Sequence, residues 1–160
     1  MVAEKVDWPK LLGSILACQA AGFIGSFATT PAIPTWYAGL SKPWFSPPNW
    51  VFAPVWLLLY TLMGLALYLI IKDGLKTLDA QRGFYAFGAQ LGLNILWSIL
   101  FFGLKSPPAA FICIMLLVVA IIVTTWEFWI IDRRAAYLMM PYLVWVLFAT
   151  VLNFYIWQLN

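Results

Sequence analysis

PAAFICIMLLVVAIIVTTWEFWII, residues 108–131, carries one charged side chain, Glu127, in 24 positions. As a helix it would be about 36 Å long, enough to cross hydrocarbon about 30 Å thick. A helix apolar on every side has no water-facing surface, so this stretch reads as a membrane span. Four others meet the same length requirement: 11–29, 50–71, 84–104 and 135–159. The breaks between them hold the charges, glycines and prolines of loops, and the first, 30–49, is much the longest.

Composition supports the same reading. Of 160 residues, 64% are hydrophobic and 9% charged, and the mean hydropathy is +0.91. A soluble domain carries about a quarter charged residues, so one water-solvated core cannot account for this chain. The expected fold class is an all-α integral membrane protein, one domain over residues 1–160, built as a five-transmembrane-helix bundle. Lys5, Lys10, Lys72, Lys76, Arg82, Arg133 and Arg134 fall on one side of it, and only Lys42 and Lys105 on the other. Because basic residues concentrate on the cytoplasmic face, the N-terminus is expected there and the C-terminus opposite, in a bacterial-type inner membrane. ILAC at 15–18 weakly resembles a lipoprotein cleavage site. Acidic Glu4 and Asp7 in the would-be leader, and apolar sequence continuing past Cys18, favour a retained span.

Several functions are disfavoured. The chain has no histidine, which removes the commonest general base and metal ligand, and no metal site is expected. The nine basic residues form no stripe, so nucleic acid is not an expected partner. Cys18 and Cys113 lie in apolar runs and read as small hydrophobes. Phosphate-loop, nucleophile-elbow, C-x-x-C and H-E-x-x-H signatures are absent, and the six acidic residues form no catalytic pair. Glu127, near Asp132, Arg133 and Arg134, reads as an interfacial residue that snorkels or pairs with an arginine.

Helical periodicity sorts the remaining polar and aromatic residues. On the third span Gln90, Asn94, Trp97, Ser98 and Phe101 share one face, and Gly88, Gly92, Ile95 and Ile99 the opposite one. Amides are costly in hydrocarbon, so the first face should look inward. Gly88 and Gly92 form a G-x-x-x-G pair, a candidate dimer interface or a packing surface within the bundle. The second span aligns Asn49, Phe52, Trp56, Tyr60 and Met63, and the fifth aligns Tyr142, Trp145, Ala149 and Asn153. Trp56, Trp97 and Trp145 with Asn94 suit a pocket for a flat, largely apolar ligand. Trp8, Trp126, Trp129 and Trp157, near span ends, read as interfacial belt residues. The loop 30–49, stiffened by prolines, reads as a lid anchored by Trp44 and Trp50.

WYAGLSKPWFSPPNWVFAPVW at 36–56, LYTLMG at 59–64, QLGLNILWSILFFG at 90–103 and PYLVWVLFATVLN at 141–153 together resemble the TspO/MBR family of tryptophan-rich sensory and translocator proteins, the peripheral-type benzodiazepine receptors. The resemblance implies a five-helix bundle, commonly a homodimer. It also implies a pocket toward the first loop that binds porphyrins such as protoporphyrin IX and haem. Eukaryotic members take cholesterol and isoquinoline carboxamide drugs as well. By position, Trp36 and Tyr37 fall on the loop side of that pocket, Trp56 and Asn94 on its walls with Trp97 and Ser98 beside them, and Trp145 and Ala149 on the fifth helix. Trp36 and Trp145 match positions associated in bacterial relatives with light-dependent degradation of bound protoporphyrin. Residues 149–160 lack the terminal Lys or Arg of a cholesterol-recognition motif, so cholesterol is a doubtful partner. The leading expectation is a tetrapyrrole-binding membrane protein with a sensory or regulatory role, the porphyrin being ligand and no cofactor required. A light-dependent porphyrin-degrading enzyme and a tetrapyrrole or lipid translocator are the alternatives.

Overall fold

The computed structural model describes residues 6–160, leaving the expectations for Glu4 and Lys5 outside the described residues. Five helices follow in order: α1 Trp8–Ala32, α2 Phe52–Ile71, α3 Leu78–Ser98, α4 Pro107–Ile131 and α5 Arg133–Leu159. Each is long and apolar enough to cross a membrane, and no strand occurs among the described residues. This is the all-α integral membrane class that hydropathy predicts.

Local chemistry sets the helix boundaries where hydropathy misplaces them. Apolarity puts the start of the third span at residue 84, but α3 begins at Leu78. Thr77 Oγ accepts a hydrogen bond from the Ala80 N–H at 3.1 Å, and Asp79 lies in the first turn, where a negative charge suits the helix dipole. The cap starts the helix one and a half turns before the apolar run. α1 similarly begins at a cap, with Asp7 Oδ1 accepting from the Lys10 N–H at 3.2 Å. That bond and the nearby Lys10 ammonium, 3.2 Å from the other carboxylate oxygen, hold the Asp7 carboxyl below its usual range. Lys10 Nζ also donates to the Lys72 carbonyl at 2.6 Å, and the Asp7 N–H donates to the Tyr68 hydroxyl at 3.1 Å. The start of α1 is thereby tied to the end of α2.

α1 continues through Pro31 to Ala32 and α2 begins at Phe52, so the first connector runs 33–51, displaced from the expected 30–49, and contains helical turns at Tyr37–Gly39 and Asn49–Val51. α3 ends in a π-helical turn, Ile99–Gly103, closed by the Leu104 N–H on the Ile99 carbonyl at 2.7 Å. The wider turn changes the phase of the side chains, and the consecutive Phe101 and Phe102 both point inward and are buried. Only Asp132 separates α4 from α5. It caps α5 by accepting from the Arg134 N–H at 2.9 Å, and its carboxylate takes the Arg134 guanidinium at 2.8 and 3.1 Å. Asp132, rather than Glu127, is therefore the partner of that arginine.

Small residues set the helix spacing. A Cβ on Gly64 would lie 2.5 Å from Ile15 Cα, so α1 and α2 approach backbone to backbone. α4 packs against both α3 and α5, and α2 packs against α1 and α5. Met63, Phe87, Leu117, Ile121, Phe128, Met139 and Tyr142 fill the centre, with Phe87 and Phe128 stacked 5.8 Å apart. Large apolar side chains such as Leu16, Ile112, Leu116 and Val144 are exposed on the outside, as hydrocarbon solvent requires.

Candidate functional site

A cavity of about 530 Å³ opens in the loop half of the bundle, within the range of small-molecule sites. α1 contributes Gln19, Gly22, Gly25, Ser26 and Thr29 to it, α2 contributes Phe52, Trp56 and Tyr60, and α5 contributes Trp145, Ala149 and Asn153. Trp97, Ser98, Phe101 and Phe102 close the α3 side, and Tyr37 comes in from the first connector. None of the lining side chains is charged. The walls present rings and a few neutral polar groups, which suits packing and stacking more than proton transfer.

The indoles are held in place. Trp97 Nε1 donates to Asn153 Oδ1 at 3.0 Å, and Asn153 Nδ2 donates to the Pro107 carbonyl at 2.9 Å. Trp97 also stacks on Phe101 at 5.4 Å with the rings 27° apart. Trp56 stacks on Tyr60 at 5.4 Å and 28°. Trp145 meets Phe52 at 6.2 Å, edge to face, and Phe148 at 5.6 Å. A wall of rings fixed by neighbours and hydrogen bonds is preorganised for a flat ligand.

Two residues assigned to the pocket by position lie off its surface. Asn94 is fully buried one layer below. Its Oδ1 accepts from the Tyr60 hydroxyl and its Nδ2 donates to the Tyr142 hydroxyl at 3.1 Å. The amide is consumed in fixing Tyr60, the phenol that does reach the cavity. Trp36 likewise lies outside the lining, its ring 5.6 Å from Phe101 and edge-on to it. Phe101, on the inward face that continues from Asn94 and Trp97, is the ring of that pair that lines the cavity. The other expected residues, Tyr37, Trp56, Trp97, Ser98, Trp145 and Ala149, all line the cavity. Gly88 and Gly92 face open space, with nothing within 4 Å of a built Cβ, so they take no part in packing within the chain.

The contribution of α1 is what the periodicity of the other spans does not reveal. Cys18, Gly22, Gly25 and Thr29, three or four apart, form a face of small residues that could have signalled it. Gln19 Nε2 donates to the Leu57 carbonyl and to Thr61 Oγ1, both at 3.0 Å, and so bridges α1 to α2 at the edge of the cavity. Gln90, on the same α3 face as Asn94, is fully buried, and its amide nitrogen and oxygen have no hydrogen-bond partner among the described residues. The Tyr37 hydroxyl is also buried; desolvation raises its pKa, and the neighbouring Ser46 hydroxyl opposes that shift. Tyr37 and Asn49 are the polar side chains that the connector brings to the cavity.

The sequence pattern of the TspO/MBR family matches residues 14–158. The chain is 49% identical to the Tryptophan-rich protein TspO of Archaeoglobus fulgidus over 94% of this chain and 97% of that one. It is 39% identical to the Tryptophan-rich sensory protein of Cereibacter sphaeroides over 97% and 94% of the two chains. With the Translocator protein of Homo sapiens it shares 37% identity over 96% and 91%.

Proposed function

The chain belongs to the TspO/MBR family, and from that premise we propose that it binds a tetrapyrrole in the cavity beneath its first connector and has a sensory or regulatory role in porphyrin handling. One observation carries this reading: Trp56, Trp97 and Trp145 surround an uncharged cavity of about 530 Å³. Wide π surfaces with few directional hydrogen bonds suit a macrocycle. Iron-free protoporphyrin IX fits better than haem. The lining holds no histidine, cysteine or methionine, and of its two tyrosines Tyr60 is already bonded to Asn94, which leaves Tyr37 as the one side chain that could reach an iron. The same apolar walls suit an isoquinoline carboxamide.

Quenching of tryptophan fluorescence by protoporphyrin IX tests the site. Saturable binding is expected, weakened about tenfold by Trp97→Ala or Trp145→Ala through lost ring contacts, and by Ala149→Phe through lost space. Trp157→Ala, on the outside of α5, should leave it unchanged. Equal affinity in all four variants would overturn the assignment.

Light-dependent degradation of the bound porphyrin is a second reading, favoured by Trp145, an oxidisable indole at the cavity wall. Trp36, one ring behind Phe101, would take part only through that ring. More than one porphyrin consumed per protein under light, lost in Trp145→Phe, supports it; bleaching limited to one equivalent argues against it.

Homodimerisation through Gly88 and Gly92 belongs to the same proposal, since their backbone is open to a second chain. Gly92→Leu should then halve the detergent-solubilised mass. The basic residues suggest a cytoplasmic N-terminus in a bacterial inner membrane, which cysteine labelling at each end would test.

A further inference from the structure

The outer seam of α4 and α5 carries a second, separate groove of about 240 Å³, lined by Ile122, Thr125, Trp126, Trp129 and Leu143. Its α4 residues recur every three or four positions and form one stripe about 10 Å long running toward the connector at Asp132. Arg133 lies at that end, its guanidinium 5.0 Å from the centre of the Trp129 ring. Tyr137 meets the same indole, 5.5 Å away and edge-on.

We infer that this groove holds one anionic phospholipid, with its phosphate at Arg133 and an acyl chain along Trp129, Trp126 and Ile122. The groove is apolar and faces hydrocarbon, so its occupant is a chain. A fixed cation at its mouth selects what that chain is attached to. Arg133 has no ion pair among the described residues, because Asp132 is already taken by Arg134 at 2.8 Å. Glu127, the acid on α4, lies about 100° around the helix from Trp126 and about 160° from Trp129, off the stripe. Held over the indole by cation–π attraction, the exposed guanidinium carries the paired donors that match phosphate oxygens. This groove lies apart from the cavity and is independent of the porphyrin reading.

Native mass spectrometry of the full chain, released from detergent with either phosphatidylglycerol or phosphatidylcholine, tests the proposal. One phosphatidylglycerol should be retained in preference to phosphatidylcholine. Arg133→Gln should weaken that retention about fivefold, the effect of one basic residue at an anionic surface. Trp129→Ala should weaken it by a similar factor, and the double variant by less than the product, because the ring acts by holding the guanidinium. Arg82→Gln, an exposed residue paired with Asp79 at 3.9 Å, should leave retention unchanged. Equal retention of the two lipids, undiminished retention in Arg133→Gln, or an equal loss in Arg82→Gln would each overturn it.

Discussion

Gly22 of α1 lies so close to the ring of Tyr60 on α2 that a Cβ there would meet Cε2 at 2.4 Å. The ring has nowhere to go, since its hydroxyl is bonded to Asn94 and its face is stacked on Trp56. Gly22→Ala should therefore part the helices or break the Tyr60–Asn94 bond, lowering stability by about 1–3 kcal/mol. Gly64→Ala should cost more, because backbone of α1 stands in its way. Gly88→Ala meets nothing and should be neutral within one chain. Thermal unfolding in detergent gives the ranking, and adding Tyr60→Leu to Gly22→Ala should recover part of the loss.

Asn94 and Gln90, one turn apart on α3, should respond in opposite directions to the same substitution. Asn94→Leu strands the Tyr60 and Tyr142 hydroxyls in an apolar interior. Leaving each unpaired costs about 1–3 kcal/mol, so a clear fall in midpoint is expected. Combining it with Tyr60→Phe and Tyr142→Phe should restore most of that stability. Gln90→Leu removes an amide that has no partner among the described residues and should raise the midpoint. A lower midpoint for Gln90→Leu would show that its amide is satisfied.

How far the sequence reveals the site depends on the kind of signal each residue carries. Trp97 and Trp145 are legible because amide and aromatic residues repeat at helical spacing beside them. Asn94 is legible as an inward residue but not as a buried one, since periodicity gives a direction and no depth. Trp36 is placed on the loop side by position, and the sequence carries no sign that its ring packs edge-on to Phe101, which lines the cavity instead. The α1 wall stays hidden for a related reason: glycine and serine contribute space and backbone, and a search for ring-bearing faces passes over them. The start of α3 was available in the sequence as Thr77 and Asp79, a capping pattern that hydropathy alone ignores.

Asp132 predicts a pH dependence. Its side-chain hydrogen bond with Arg134 holds the carboxyl below the usual value of 3.8, so folding favours the ionised form. The stabilisation is fully present above the unfolded pKa and is lost as pH falls through the lower folded one. Asp132→Asn retains an N-cap acceptor but loses the charge pair. It should be less stable than the wild type at pH 7 and no worse near pH 2. A stability gap that persists at low pH would assign the effect to the cap instead of the ion pair.

Asn160 closes the connector over the cavity from the far end of α5. Its Oδ1 accepts from the Ser41 N–H and its Nδ2 donates to the Ser41 carbonyl, both at 3.0 Å. Asn160→Ala removes both bonds, and hydrogen exchange at the Ser41 amide should accelerate roughly tenfold. Whether that also admits ligand faster depends on the way in. Phe23 and Leu57 line the cavity and yet are 64% and 62% exposed on the outer faces of α1 and α2, so the cavity reaches the lipid between those helices. An apolar ligand dissolved in the bilayer meets that seam before it meets the connector. Protoporphyrin association should therefore be unchanged in Asn160→Ala and slowed in Ala53→Phe, which narrows the seam from α2. Faster association in Asn160→Ala would mean that the connector, rather than the seam, controls access.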